Sequence, residues 1–251
     1  MQRGAQDMID PWIWIALFVL IAYTIEAITG FGSLVIALSL GALLLPVPEL
    51  LPVLVPLNVL MSGSLAIRNR RHVDWALLLK VILPLMLAGT LAGYLLQNGL
   101  ADSALKLLLG ILIIWFACRE LWRMRRGTLV PAHPAWLNRL LTLGAGITHG
   151  LFASGGPLLV YAMAGTTLDK SRLRATMLCV WCSLNAALSV LLLLQGKLTP
   201  TLHKVVWFIP LLVIGVLVGE YLHHRVNEQR FRQMVYSLLA VTGVLLAVQN
   251  L

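Results

Sequence analysis

Thr29-Gly30-Phe31-Gly32-Ser33 interrupts an apolar run that begins at Trp12, and Ala153-Ser154-Gly155-Gly156-Pro157 interrupts another that begins at Trp136. Each break precedes an apolar segment too short to cross a bilayer. Residues 34–45 and 157–166 make about 18 and 15 Å of helix, against a hydrocarbon core of roughly 30 Å. Each pair reads as a hairpin that enters the membrane and leaves on the side it came from. Backbone that is not helical at that depth must be buried in protein or line a wet cavity. The breaks are therefore the expected site. The same glycines would also suit a kink or a close helix contact, since membrane helices are rich in glycine.

Working outward, further apolar segments lie at 12–28, 50–67, 75–97 and 104–122, and then at 136–152, 173–194, 205–222 and 234–248. Of the 251 residues, 59% are hydrophobic and 12% are charged, with a mean hydropathy of +0.88. A soluble domain carries about 25% charged residues, so a soluble enzyme and a disordered chain are excluded. The continuous runs argue against a β-barrel, whose strands alternate. No small-residue cleavage site follows the first run, which is expected to stay in the membrane. Cys118, Cys179 and Cys182 all sit in apolar runs, which implies no disulfide framework.

Two sets of five segments flank a basic loop, and the sets match. Pro84, Gly89 and Gly93 correspond to Pro210, Gly215 and Gly219 at an offset of 126, and Asn58 corresponds to Asn185 at 127. The breaks correspond at 124. The expected fold is an all-α polytopic membrane protein with two repeats, 1–122 and 136–251, joined by a cytoplasmic loop at 123–135. Each repeat holds one broken pair and three spanning helices. Five passes per repeat would invert the second relative to the first, an architecture common among secondary transporters.

Charge supports the inversion. With hairpins at the breaks, fifteen of the nineteen Lys and Arg fall on one side, leaving Arg3, Lys106, Lys197 and Lys204 opposite. If each broken pair is instead a single span, the split falls to twelve against seven. The positive-inside rule favours the first arrangement, with both termini outside. It also accounts for the formal charge of +9 without any nucleic-acid partner.

A helix that starts inside the membrane presents unpaired N–H groups and a positive dipole end, which suits a small anion. Ser154 reads as an N-cap, with Gly155, Gly156 and Pro157 opening the helix behind it. At the first break, Thr29 and Ser33 offer hydroxyls, while Gly30, Phe31 and Gly32 allow close backbone approach. Asn58 and Asn185 would donate to the anion from both halves, or bond helix to helix. Glu26 and His149, at matching places before the breaks, are the candidate proton-coupling residues. A mid-membrane carboxylate marks a functional site by default, and His149 would relay the proton or supply charge. Each also has a packing reading, Glu26 as a protonated helix contact and His149 as a neutral ring between helices.

The pattern resembles the TauE/SafE sulfite exporters, the toluene sulfonate uptake permeases. The resemblance rests on Glu-Ala-Ile-Thr-Gly-Phe-Gly from Glu26, the polar turn before Trp75, the Pro-x4-Gly-x3-Gly segments and the second Gly-rich break. It implies a permease of sulfite, sulfonates or related organosulfur anions in the cell inner membrane. Many members carry a longer glycine run where this chain has Gly30-Phe31-Gly32-Ser33.

Two other classes fit parts of the sequence. Ser154 with His149 five residues earlier suggests an intramembrane hydrolase, although that spacing does not by itself bring base to nucleophile. A scaffold that moves nothing is the third class. Cys179-x2-Cys182 reads as core, and the Gly-x3-Gly pairs read as helix contacts. The Arg68–His72 run and Glu220 read as interfacial. No Walker loop, zinc motif or dinucleotide fingerprint is present, so no cofactor or metal is expected. The charge split generates a first test. In a chain otherwise free of cysteine, Gly127→Cys should label only from the cytoplasmic face, and labelling from outside would refute the orientation.

Overall fold

The computed structural model describes residues 10–29, 32–126, 134–163, 169–223, 225 and 228–251. Gly30, Phe31, the Thr29 side chain and positions 127–133 of the expected loop lie outside the described residues. The chain is all-α, and among the described residues there is no strand.

The first five helices are α1 Pro11–Thr29, α2 Ser33–Gly41, α3 Val47–Asn69, α4 Trp75–Gly99 and α5 Asp102–Arg126. They are followed by α6 Ala135–Phe152, α7 Gly156–Ala162, α8 Lys170–Leu194, α9 Leu202–His223 and α10 Glu228–Gln249. Five of them, α1, α3, α4, α8 and α9, are long and apolar enough to span a bilayer. Within α4 a π turn at Leu78–Ile82 sits just ahead of Pro84, which has no N–H to give the preceding turn.

Several boundaries differ from expectation, among them α2, which ends at Gly41, short of 45. α5 runs on to Arg126, so the first residues of the expected loop are helical. Glu120 is buried and binds both Arg119 and Arg123 at 2.5 Å, and this extends the helix through a basic stretch. α7 ends at Ala162, short of 166.

The helices pack in pairs. α1 lies on α9 and α4 on α6, while α3 faces α8 and α5 faces α10. α1 also packs against α2, and α6 against α7. Exchanging the first five helices for the last five reproduces every one of these pairings.

Two glycine seams carry the closest approaches. A Cβ on Gly89 or Gly93 of α4 would run into the backbone carbonyls of Leu143 and Ile147, and one on Gly146 or Gly150 of α6 would meet Met86 and Thr90. In the equivalent seam, Gly215 and Gly219 of α9 abut α1 at Leu20, Thr24 and Ala27. In lipid, where apolar side chains gain little by leaving their surroundings, such backbone-to-backbone packing is a main source of helix association.

Contacts at the helix ends fall into two groups. Arg68 pairs with Glu220 at 3.1 Å, Thr176 and Arg172 meet Asp74, and Arg119 lies over the Tyr161 ring. At the other group, the Val47 N–H donates to Asp102, Lys197 donates to Asn98, and Lys204 lies over the Trp12 ring. The outer faces of α4, α9 and α10 stay apolar, as Leu95, Trp207 and Val248 show, which suits lipid and would be untenable in water.

The seams predict an asymmetry among glycines. Gly93→Ala and Gly219→Ala should each lower stability by about 1–3 kcal/mol, the usual cost of overpacking. Gly99→Ala, with nothing near its Cβ, should stay within about 1 kcal/mol. Thermal unfolding in detergent would show this, and equal shifts would refute the seam.

Candidate functional site

The chain at the end of α1 must turn sharply to enter α2, and Gly32 does so at φ +104° as the cap of α2. A side chain there would be strained. The second break turns at Ala153, which holds φ +52° while its N–H bonds back to His149 O. A left-handed alanine costs about 1–2 kcal/mol, and such conformations persist where the surroundings impose them. Behind it, a Cβ on Gly155 would strike the Ala145 carbonyl, so this turn is pressed against α6.

The first orphan N–H of α2 is satisfied from α1. Glu26 Oε2 accepts from the Ser33 N–H at 2.8 Å. A carboxylate at a helix start is favourable both as a hydrogen-bond acceptor and against the dipole. From Ser33 a polar chain crosses to the other half. Asn58 Nδ2 donates to Ser33 Oγ at 3.0 Å, and Asn185 Nδ2 donates to Asn58 Oδ1 at 2.7 Å. Glu26, Ser33, Asn58 and Asn185 are each at most 3% exposed.

Glu26, Asn58 and Asn185 border one cavity of about 50 Å³. A single water needs roughly 10–15 Å³ on that scale, so the space suits a small ion or a few waters. Gly32 and Glu26 line it from the first half, and residues 153–157 line it from the second. Asn58 and Asn185 lie between them, while Trp181, Phe116 and Tyr236 supply aromatic walls. Phe116 and Tyr236 meet edge to face at 5.6 Å, which joins α5 to α10 beside the cavity. Three lining side chains have a buried polar atom with no partner among the described residues: Glu26 Oε1, Ser154 Oγ and Asn185 Oδ1. Leaving such atoms unsatisfied costs about 1–3 kcal/mol each, so this many around one space points to an occupant.

Of the expected site residues, Glu26, Gly32, Asn58, Asn185 and 154–157 line the cavity, while Ser33 and His149 do not. The Thr29 side chain, Gly30 and Phe31 lie outside the described residues. Three roles differ from expectation. Ser154 does not cap α7. Gly155 occupies the cap position without a side-chain bond, and this leaves the Ser154 hydroxyl at the cavity. His149 stands as far before Gly156 as Glu26 does before Ser33, yet neither of its ring nitrogens is hydrogen-bonded. Its ring stacks on Trp181 at 6.0 Å. With no hydrogen bond between Ser154 and His149, the nucleophile–base pair of the hydrolase alternative is not formed. The Asn pair is bonded to itself as well as lining the space.

Other participants carry no sequence signal of their own. Trp181 stands inside the Cys-Val-Trp-Cys run, which reads as core. Arg174, whose charge acts on Glu26, reads from sequence as one more basic residue of the 170–174 stretch. Tyr236 sits in an otherwise ordinary apolar run.

Paired helical repeats around a buried polar cavity, clothed in an apolar exterior, define a polytopic membrane transporter. A family model described as Sulfite exporter TauE/SafE matches residues 15–246, nearly the full length, and the chain belongs to that family. It is 25% identical over 192 residues to the "Probable inner membrane transporter protein TsaS" of Comamonas testosteroni, covering 76% of this chain and 77% of that one. No solved structure matches. Family and relative are transporters, so the chain is not an enzyme, and its partners are a small-molecule substrate and the bilayer.

Proposed function

We propose that this protein is a secondary carrier of small sulfur oxyanions, sulfite or an organic sulfonate, in the inner membrane. The anion sits in the cavity between the two breaks and is accompanied by a proton on Glu26. The observation that carries this reading is the cavity itself, bordered by both breaks and by the partnerless polar atoms of Glu26, Ser154 and Asn185. The family's description and the name of the Comamonas testosteroni relative support the substrate class and the inner membrane.

In this reading the second repeat is inverted, both termini face the periplasm, and 123–135 faces the cytoplasm. The reciprocal pairing of helices supports the inversion. The end carrying Arg68, Arg119 and Arg172 is the more basic, which supports its cytoplasmic placement. Gly156 and Pro157 complete the second wall.

The proton follows from electrostatics. An ionised carboxylate about 6 Å from a bound anion costs roughly 3 kcal/mol at an effective dielectric near 20. Protonating Glu26 removes that cost, while Arg174 keeps the surroundings positive. The break glycines then leave room for the anion. A Cβ on Gly156 would sit 3.5 Å from the Trp181 ring, so a longer side chain projects into the cavity.

Gly156→Leu should therefore insert normally and lose at least tenfold in uptake of radiolabelled sulfite by proteoliposomes, or about 1.4 kcal/mol. Ser154→Ala, a gentler change, should mainly raise KM. Wild-type flux in folded Gly156→Leu would place the route elsewhere.

A further inference from the structure

The hydrogen bonds of the polar chain from Asn185 to Glu26 all point one way. Asn185 donates to Asn58, Asn58 donates to the Ser33 hydroxyl, and the Ser33 amide donates to Glu26. An ionised carboxylate can only accept, so it offers the Ser33 hydroxyl no donor. The consequence appears at the far end. Asn185 spends an amide N–H on Asn58, and its Oδ1, an acceptor, is left without a partner at the cavity. A lone pair facing the cavity repels an anion.

We propose that a proton on Glu26 reverses this chain, so that Asn185 turns an N–H donor toward the cavity and anion and proton bind together. The reversed state keeps every link of the chain. The Glu26 O–H donates to Ser33 Oγ, and the Ser33 hydroxyl turns to donate to Asn58 Oδ1. Asn58, flipped about its amide, donates Nδ2 to Asn185 Oδ1. Asn185, also flipped, presents Nδ2 to the anion. Meanwhile Glu26 can still accept from the Ser33 N–H. Nothing needs to move beyond one hydroxyl rotation and two amide flips. Asn58 is thus a positioning residue that acts through Asn185, and Asn185 is the group that meets the ligand.

The other titratable and charged groups do not supply this switch. Tyr23 on the same helix and Tyr236 across the cavity are phenols, whose reference titration is near pH 10. Arg174 of α8 keeps its charge throughout. α2 carries no titratable side chain. On α9, Lys204 is engaged by Trp12 and Glu220 by Arg68. His149 stands behind Trp181, bonded to neither Glu26 nor the two asparagines.

The proposal rests on the reading of the cavity as an anion site, and binding measured on purified full-length protein separates the two. Methanesulfonate is the probe, because its charge is fixed across the working pH range, and Kd is followed from acid to alkaline pH. Wild type should bind more tightly at low pH, by about tenfold, a typical coupling. Glu26→Gln both donates and accepts, as the protonated acid does, so it should bind tightly at every pH.

In the Glu26→Gln background, adding Asn58→Ala should cost about tenfold, and Asn185→Ala should cost as much. In wild type at alkaline pH, Asn58→Ala should not weaken binding, because it frees the Asn185 amide to turn. A structural role for Asn58 would instead weaken binding equally in both backgrounds and leave the pH profile of wild type intact, which would overturn the relay. A pH profile that survives Glu26→Gln assigns the switch to His149 and overturns it too. Should wild type bind no methanesulfonate, sulfite or thiosulfate at any pH, the anion site itself fails, and the relay with it. Thermal unfolding of each variant in detergent identifies any loss that comes from misfolding.

Discussion

A helix that begins inside a hydrocarbon layer leaves N–H groups that water cannot reach, and each must find an acceptor or cost several kcal/mol. At the start of α2 that acceptor is Glu26, seven residues back on α1 and 2.8 Å from the Ser33 amide. Much of the site's chemistry follows from this one bond. It closes the first hairpin and gives a buried carboxylate a reason to exist. The same carboxylate stands at the end of the polar chain that runs through Ser33 and Asn58 to Asn185. The second break has no equivalent. α7 begins behind glycine and proline with no side-chain cap, and the Ser154 hydroxyl is left at the cavity. Two breaks of similar sequence thus play unlike parts, one capped by a carboxylate and one with an unpartnered hydroxyl at the cavity.

For the cavity to persist, the hairpins must be held from outside. The two glycine seams do this, one clamping α6 to α4 and the other α1 to α9. Each seam grips the first arm of a hairpin against a long helix of the other half, while α2, buried along its length, packs on α1, α3 and α10, and α7 packs on α6. Firm packing around a central cavity suits a carrier, in which a fixed site is exposed alternately by movement of surrounding elements. The left-handed Ala153 sits at the turn between α6 and α7.

Much of this was legible beforehand, for physical reasons. Segment length against bilayer thickness exposed the short helices, and an ordered set of offsets exposed the duplication. Asn58 and Asn185 stood out because polar side chains are costly in apolar helices, and the structure brings them together. What escaped was anything set by distance across the fold. Nothing in the spacing shows that Glu26 reaches the Ser33 amide, because the break between them has no fixed geometry. Arg174 read as one more cation in a basic run, and only the packing of α8 carries its charge toward Glu26. Trp181 read as core and is core, yet its edge is also cavity wall. Ser154 was expected at the cap because serine favours it, but here glycine took the cap.

The central claim is that a small anion rests between the two breaks. Selenite shares the shape and charge of sulfite and carries a strong anomalous scatterer, so crystals soaked in it give a direct reading. The account predicts an anomalous peak in the cavity within hydrogen-bonding distance of Ser154 Oγ and the Asn185 amide, absent in Gly156→Leu. An ordered peak found only outside that cavity, in protein that carries selenite across a membrane, would contradict it.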